Sequence, residues 1–404
     1  MKTLKNSLVI AALCALTFSC NDDDGGGTPI QTKDGVISSQ SDVDLDATDL
    51  KGEITANITL SSAQDWILTG PLSVASGASL TIEAGTTIKA QAGGTNVFIA
   101  VGQGAEIFVN GTAAAPVRMT SDATTPASGD WGGLLIMGNA PISGGGTATT
   151  EVVDFTYGGN EPTDDSGDIT YLIVEYTGAR INGDKEFNGV TFYGVGSGTT
   201  VSNLAVLYGD DDAVEWFGGS VSVSNLLVAN AKDDMFDWTQ GYVGQNNTNF
   251  YGVRQAGFVA VTSDPRGIEA DGNLDGNSPQ DSDQSNPRID GITIIHNAAV
   301  DMADMVKIRR GSGAVITNLY IALGAGATAG DLVDLTDGKG VAIDATSITG
   351  TANPANGLDI TDIKKSITDG TTNVTTTSNG TVTITSGTTS AVSTSIFAWT
   401  GFSF

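Results

Sequence analysis

One eight-residue pattern constrains this chain more than any other feature: Asp-x-[Val/Phe]-x-[Trp/Ile/Leu]-x-x-Gly. It occupies positions 212–219 and returns at 234–241; it recurs at 304–311 and again at 331–338. Ser202-Asn203-Leu204 recurs as Ser224-Asn225-Leu226, the same step as between the first two copies of the pattern. Gly-Ala-x-[Leu/Ile]-x-[Ile/Val] starts at Gly77 and again at Gly104, the same step as between the last two copies. A period of about 22–27 residues is the length of one coil of a solenoid. The segments between turn residues, such as Ser79-Leu80-Thr81-Ile82, alternate apolar and polar with period two, which is a strand signature. The expected fold is therefore all-β: a single right-handed parallel β-helix with coils of about 22–27 residues and capped ends.

Alternation also sorts the faces. Val214, Phe236, Val306 and Val333 form one inward column, and Trp216, Trp238, Ile308 and Leu335 the next. Glu215, Asp237, Lys307 and Asp334 point outward between them. The same parity puts Ala213, Met235, Met305 and Leu332 outside, with Phe217, Thr239, Arg309 and Thr336. The pattern-ending glycines suit a corner where a side chain would clash. The long interval from Asp234 to Asp304 should hold two further coils and a loop, with Ile268-Glu269-Ala270 as a divergent copy of the strand.

The first residues read as a targeting signal. Lys2 and Lys5 precede an apolar run, residues 8–18, too short to span a bilayer. The run ends at Ser19-Cys20, which resembles a lipobox, so residues 1–19 are expected to be a lipoprotein signal peptide and Cys20 the lipidated residue. Cys14 lies in the removed part, so no disulfide can form within the mature chain. Asn21-Asp22-Asp23-Asp24 resembles the surface-export signal of Bacteroidetes lipoproteins, and Gly25-Gly26-Gly27 continues it as a tether over 20–33. The helix domain is expected over 34–404, with an N-terminal cap at 34–60 and a C-terminal cap at 367–404 whose apolar end, Phe397 to Phe404, could cover an open core. The expected location is the outer membrane, lipid-anchored and facing outward.

Several stretches together resemble an abundant group of secreted β-helix proteins of marine and gut Bacteroidetes. They are Gly85-Thr86-Thr87-Ile88, the run 131–142 (WGGLLIMGNAPI), Val174-Glu175-Tyr176-Thr177-Gly178, Gly194-Val195-Gly196-Ser197-Gly198-Thr199 and the two Asp-Asp-x-x-acid-Trp copies. The resemblance spans residues 66–338 and implies fold and surface location but no activity. A looser likeness, of architecture alone, is to pectate-lyase-type β-helices.

The chain carries 18 Lys+Arg against 46 Asp+Glu, a formal charge of −28. Such a surface repels nucleic acid and attracts divalent cations. Calcium is the expected cation, with no organic cofactor. Asp271-Gly-Asn273-Leu-Asp275-Gly resembles the first half of a calcium loop, with Asp281 and Asp283 replacing its missing last ligand. The alternative is an empty polar loop. The ladder Asp211, Asp212, Asp233 and Asp234 is a second candidate, since adjacent coils place like charges about 4.8 Å apart; its alternative is that the aspartates bind backbone amides.

Catalytic candidates are Glu215, Asp237, Lys307 and Arg309, while Phe217, Met235 and Met305 would form an exposed ligand face. The one histidine, His296, sits in an apolar run and reads as structural. Three functions stay open. The first is non-catalytic binding or adhesion to a polysaccharide or surface protein; the others are a polysaccharide lyase or glycoside hydrolase acting on acidic glycans, and a structural coat protein.

Overall fold

The structure, a computed structural model, describes residues 33–181 and 185–404. The signal peptide, Cys20 and the tether up to residue 32 lie outside the described residues. From Lys33 onward the chain winds as a right-handed parallel β-helix, and both sequence spacings are full coils. At the shorter spacing Val214 pairs with Phe236 and Trp216 with Trp238. At the longer one Leu80 pairs with Ile107 and Ile292 with Leu319.

One wall stacks strands Leu134–Met137, Val190–Tyr193, Val214–Phe217, Phe236–Thr239 and Ile268–Ala270 in parallel. Single bridges extend it from Ile268 to Val306 and from Lys307 to Asp334. The interval from Asp234 to Asp304 thus makes two turns, with Ile268–Ala270 as the rung between. Long loops swell these turns beyond the spacing of the repeats. Both inward columns are buried, and Trp216 and Trp238 are each 1% exposed. The outward column reads Thr191, Glu215, Asp237, Glu269, then Lys307 and Asp334.

A second wall is longer. It includes Thr200–Leu207, Ser222–Ala229, Asn247–Arg254, Arg288–His296 and Val315–Leu323 in continuous parallel register. Each strand bends at one left-handed residue: Asn203, Asn225, Asn249, Gly291 and Asn318, with φ between 55° and 79°. Asparagine tolerates this region, and its amides stack along the axis. Asn225 Nδ2 donates to Asn203 Oδ1 at 3.0 Å, and Asn249 Nδ2 to Asn225 Oδ1 at 2.9 Å.

Two expectations about the ends and faces change. Residues 34–60 supply early rungs: Ile37 pairs with Ile54, and Ile58 with Leu80, all buried. Phe397 to Phe404 does not cover the open core. After the last rung, Thr381–Ser386, the chain turns back along the outside of the second wall. Val392 N donates to Thr293 Oγ1, Phe397 packs beside Tyr251, and Trp399 meets Tyr171 edge-on. That outer column, Ile173, Ala205, Leu227 and Tyr251, is apolar and needs a cover. Covering it therefore takes the tail away from the solenoid end.

Candidate functional site

An insertion builds the site on the first wall. After Met137 the chain leaves the solenoid and forms a small antiparallel hairpin, Ala148–Thr149 with Thr156–Tyr157. Tyr157 stacks obliquely on Tyr193, 4.9 Å between centroids, and its hydroxyl donates to Gln240 Oε1. Phe217 packs on Tyr193 at 4.5 Å beneath the hairpin. Close approach needs glycine at the corner: a Cβ on Gly218, at φ 67°, would lie 2.6 Å from the Ile142 side chain and 2.8 Å from Gln240 O.

This overturns the expected ligand face. Phe217 is 3% exposed because the hairpin covers it, while Met235 and Met305 sit in the main core. Parity misplaced the methionines because both stand at the corner, Met235 just before strand Phe236–Thr239 and Met305 between strand Asp301–Asp304 and the bridge at Val306, where the alternation of the first wall does not hold.

Beside the hairpin lies a cleft of about 510 Å³, lined on the solenoid side by Glu215, Asp237, Thr239 and Glu269, and on the insertion side by Glu151 and Asp154. Among the described residues no lysine or arginine forms an ion pair with Glu215 or Asp237. Glu215 accepts one hydrogen bond from Asn188 Nδ2. Asp237 Oδ1 is sealed from solvent without a donor, and the Thr239 hydroxyl also lacks a partner. Burial, then the neighbouring carboxylates, push both Glu215 and Asp237 well above the usual carboxylate range. Glu151 is pushed to about 7 by burial and by Glu186 and Asp275.

Lys185 lines the cleft beside Glu151, and the other bases nearby are already engaged. Lys307 Nζ lies 2.5 Å from Asp334 and 3.4 Å from Asp304. Arg309 pairs with Glu269 and, at 2.8 Å, with Asp271. Arg310 holds the other Asp271 oxygen at 2.7 Å and Asp337 at 3.1 Å. Lys307 therefore neutralises its own column, and of the four catalytic candidates only Glu215, Asp237 and Arg309 meet at the cleft.

The same pairs dismantle the expected calcium loop. Both carboxylate oxygens of Asp271 face guanidinium groups. Asn273 is a loop clamp, its Oδ1 taking Ser278 N and its Nδ2 donating to Gln284 and to Arg310 O. Asp281 and Asp283 converge with neither: none of Asp271, Asp275, Asp281 or Asp283 belongs to a carboxylate group close enough to share an ion among the described residues.

The ladder does gather. Carboxylate oxygens of Asp212, Asp233 and Asp234 lie within 4.8 Å of one another, as do those of Asp212, Glu215 and Asp237. A smaller cavity of about 270 Å³ adjoins them. The aspartates also bind backbone: Asp212 Oδ1 accepts Asp234 N at 2.8 Å, and Asp234 Oδ1 accepts Arg266 N. Asp211 pairs with Arg180 at 2.9 Å, yet burial and Asp233 outweigh that cation and lift it to about 8. His296 is buried, hydrogen-bonded to Val300 O at 2.8 Å, and lowered to about 4 by burial.

Sequence reasoning assigned no role to Glu151, Asp154, Tyr157, Asn188, Arg266 or Arg310. The signal available was the break in the coil period between Leu134 and Val190, one rung apart yet separated by the insertion. No curated protein and no solved structure matches the chain. A family model described as a pectate-lyase-like β-helix domain matches residues 52–402, and the chain belongs to that family.

Proposed function

We propose that this chain is a lipid-anchored cell-surface β-helix that binds a polysaccharide in the cleft between the insertion that follows Met137 and the first wall. The cleft carries the reading: at about 510 Å³ it falls in the range of about 300–1,000 Å³ of small-ligand sites. Two of its polar atoms, Asp237 Oδ1 and the Thr239 hydroxyl oxygen, are left without protein partners. Cys20 is the proposed anchor and the outer membrane the proposed location, facing outward, on the strength of the lipobox-like Ser19-Cys20 and the acidic tether. Calcium is proposed at Asp212, Asp233 and Asp234, beside Asp211, where a divalent ion would relieve the stacked charge.

A glycan panel tests the binding reading. Saturable binding that weakens in Asp237→Asn is expected. A folded protein that binds nothing across neutral, basic and acidic polysaccharides would remove it. A hydrolase is the second reading, favoured by one observation: Glu215 and Asp237 are register neighbours whose carboxyl groups burial holds toward the protonated form. Product release from a bound glycan, abolished in Glu215→Gln, would establish that reading over simple binding.

A further inference from the structure

Resting on the glycan-binding reading above, we infer that the ligand presents a protonated primary amine, as an amino sugar with a free amino group does, and that Glu215, Asp237 and Thr239 receive it. An ammonium offers three donors and no acceptor. The cleft offers the complementary set. Thr239, 6% exposed, lines it and carries a hydroxyl without a partner. Asp237 Oδ1 is buried without a donor. Glu215, 8% exposed, accepts only from the Asn188 amide. Buried acceptors without donors are rare in folded proteins and call for a ligand or water that supplies them.

Charge narrows the ligand further. A uronate would meet Glu151, Asp154, Glu215 and Asp237; of the bases lining the cleft, Arg309 and Arg310 are committed to Glu269, Asp271 and Asp337, which leaves Lys185, beside Glu151, against four acids. A lone metal ion would leave most of the 510 Å³ unfilled.

The test is calorimetry on the full-length protein in detergent, with three short oligosaccharides: glucosamine, N-acetylglucosamine and galacturonate oligomers. The glucosamine oligomer should bind at least about tenfold tighter than the other two. Asp237→Asn should lower its affinity about 10- to 100-fold, the range for a lost charged hydrogen bond. Thr239→Val should lower it a few-fold while leaving the melting temperature in place, since that hydroxyl has no partner to lose. Loose adsorption of a cation to a chain at −28 would survive both substitutions, so undiminished binding in the variants overturns the inference. So does equal or tighter binding of the acetylated or acidic oligomer, although the glycan-binding reading then stands. Failure of every glycan in the wider panel removes that reading instead.

Discussion

Raising the pH from 5 to 8 in the presence of a chelator should destabilise this protein. A carboxyl group whose folded pKa is raised holds its proton in the native state while the unfolded chain has already lost it. Between the two values the native state binds more protons, so stability falls as pH rises. Asp211 spans 3.8 to about 8, Glu151 spans 4.5 to about 7, and Asp271 and Asp304 each span 3.8 to about 6. One pKa unit corresponds to about 1.4 kcal/mol, but coupled carboxyls share protons and their contributions do not add. A net loss of about 3–6 kcal/mol is expected. Unfolding entropy of about 2.1 cal/mol/K per residue converts that to a Tm drop of about 4–8 °C for a domain this long. His296, lowered from 6.5 to about 4 by burial, acts oppositely and offsets part of the fall up to about pH 6.5, while Asp334, lowered by Lys307, and Asp337, lowered by the Lys339 amide and Arg310, lose their contribution only as pH falls below 3.8. The stability maximum should therefore lie near pH 4–5. Thermal melts from pH 4 to 9 at constant ionic strength measure it, and Asp211→Asn with Glu151→Gln should flatten the fall. Millimolar calcium, bound only by the ionised ladder, should restore much of the Tm at pH 8. A Tm that is flat or rises from pH 5 to 8 refutes the buried-carboxyl reasoning.

Trp238→Ala should cost about 3–5 kcal/mol for a deleted buried ring. Trp238→Phe should cost about 1 kcal/mol, because the indole N–H donates to Ser312 Oγ at 3.1 Å; urea unfolding separates the two. Asp271→Ala should destabilise by about 1–3 kcal/mol, because Arg309 and Arg310 lose a shared carboxylate but keep Glu269 and Asp337. Calcium titration of that variant should match wild type, and lost calcium binding would return the site to the 271–283 loop. Cys20→Ala should release the protein from the membrane fraction, and retention there would end the lipid-anchor proposal.

How far the sequence could be read depended on whether local alternation or distant register set a residue's surroundings. Trp216 and Trp238 sit inside four-residue strands, where period two holds and spacing alone assigns them inward. Met235 and Met305 stand one residue outside that regime. The asparagine bend was half visible: Ser202-Asn203-Leu204 and Ser224-Asn225-Leu226 repeat plainly, but Thr248-Asn249-Phe250 and Thr317-Asn318-Leu319 carry the same turn at irregular spacing. The loops between rungs stretch that spacing.

The functional surroundings were the least legible because they come from coils that loops have displaced. Asp271 resembles a calcium ligand within its own segment, and only the register with Arg309, its bridge partner on the next coil, turns it into an ion-pair centre. Phe217 looks like exposed aromatic surface until the hairpin 148–157, inserted two rungs earlier, is laid over it. The repeats fix a column of outward acids, and the chain then pairs Glu269 with Arg266 and Arg309, and Asp334 with Lys307, while leaving Glu215 and Asp237 without an ion pair among the described residues. A solenoid built only for stability gains nothing from that omission, since burial without a base holds both carboxyl groups away from their ionised form. The hairpin forms a cleft over the two acids that lack a base, so the same local departure from the repeat supplies both the enclosure and the unpaired carboxyl groups that a bound cation would need.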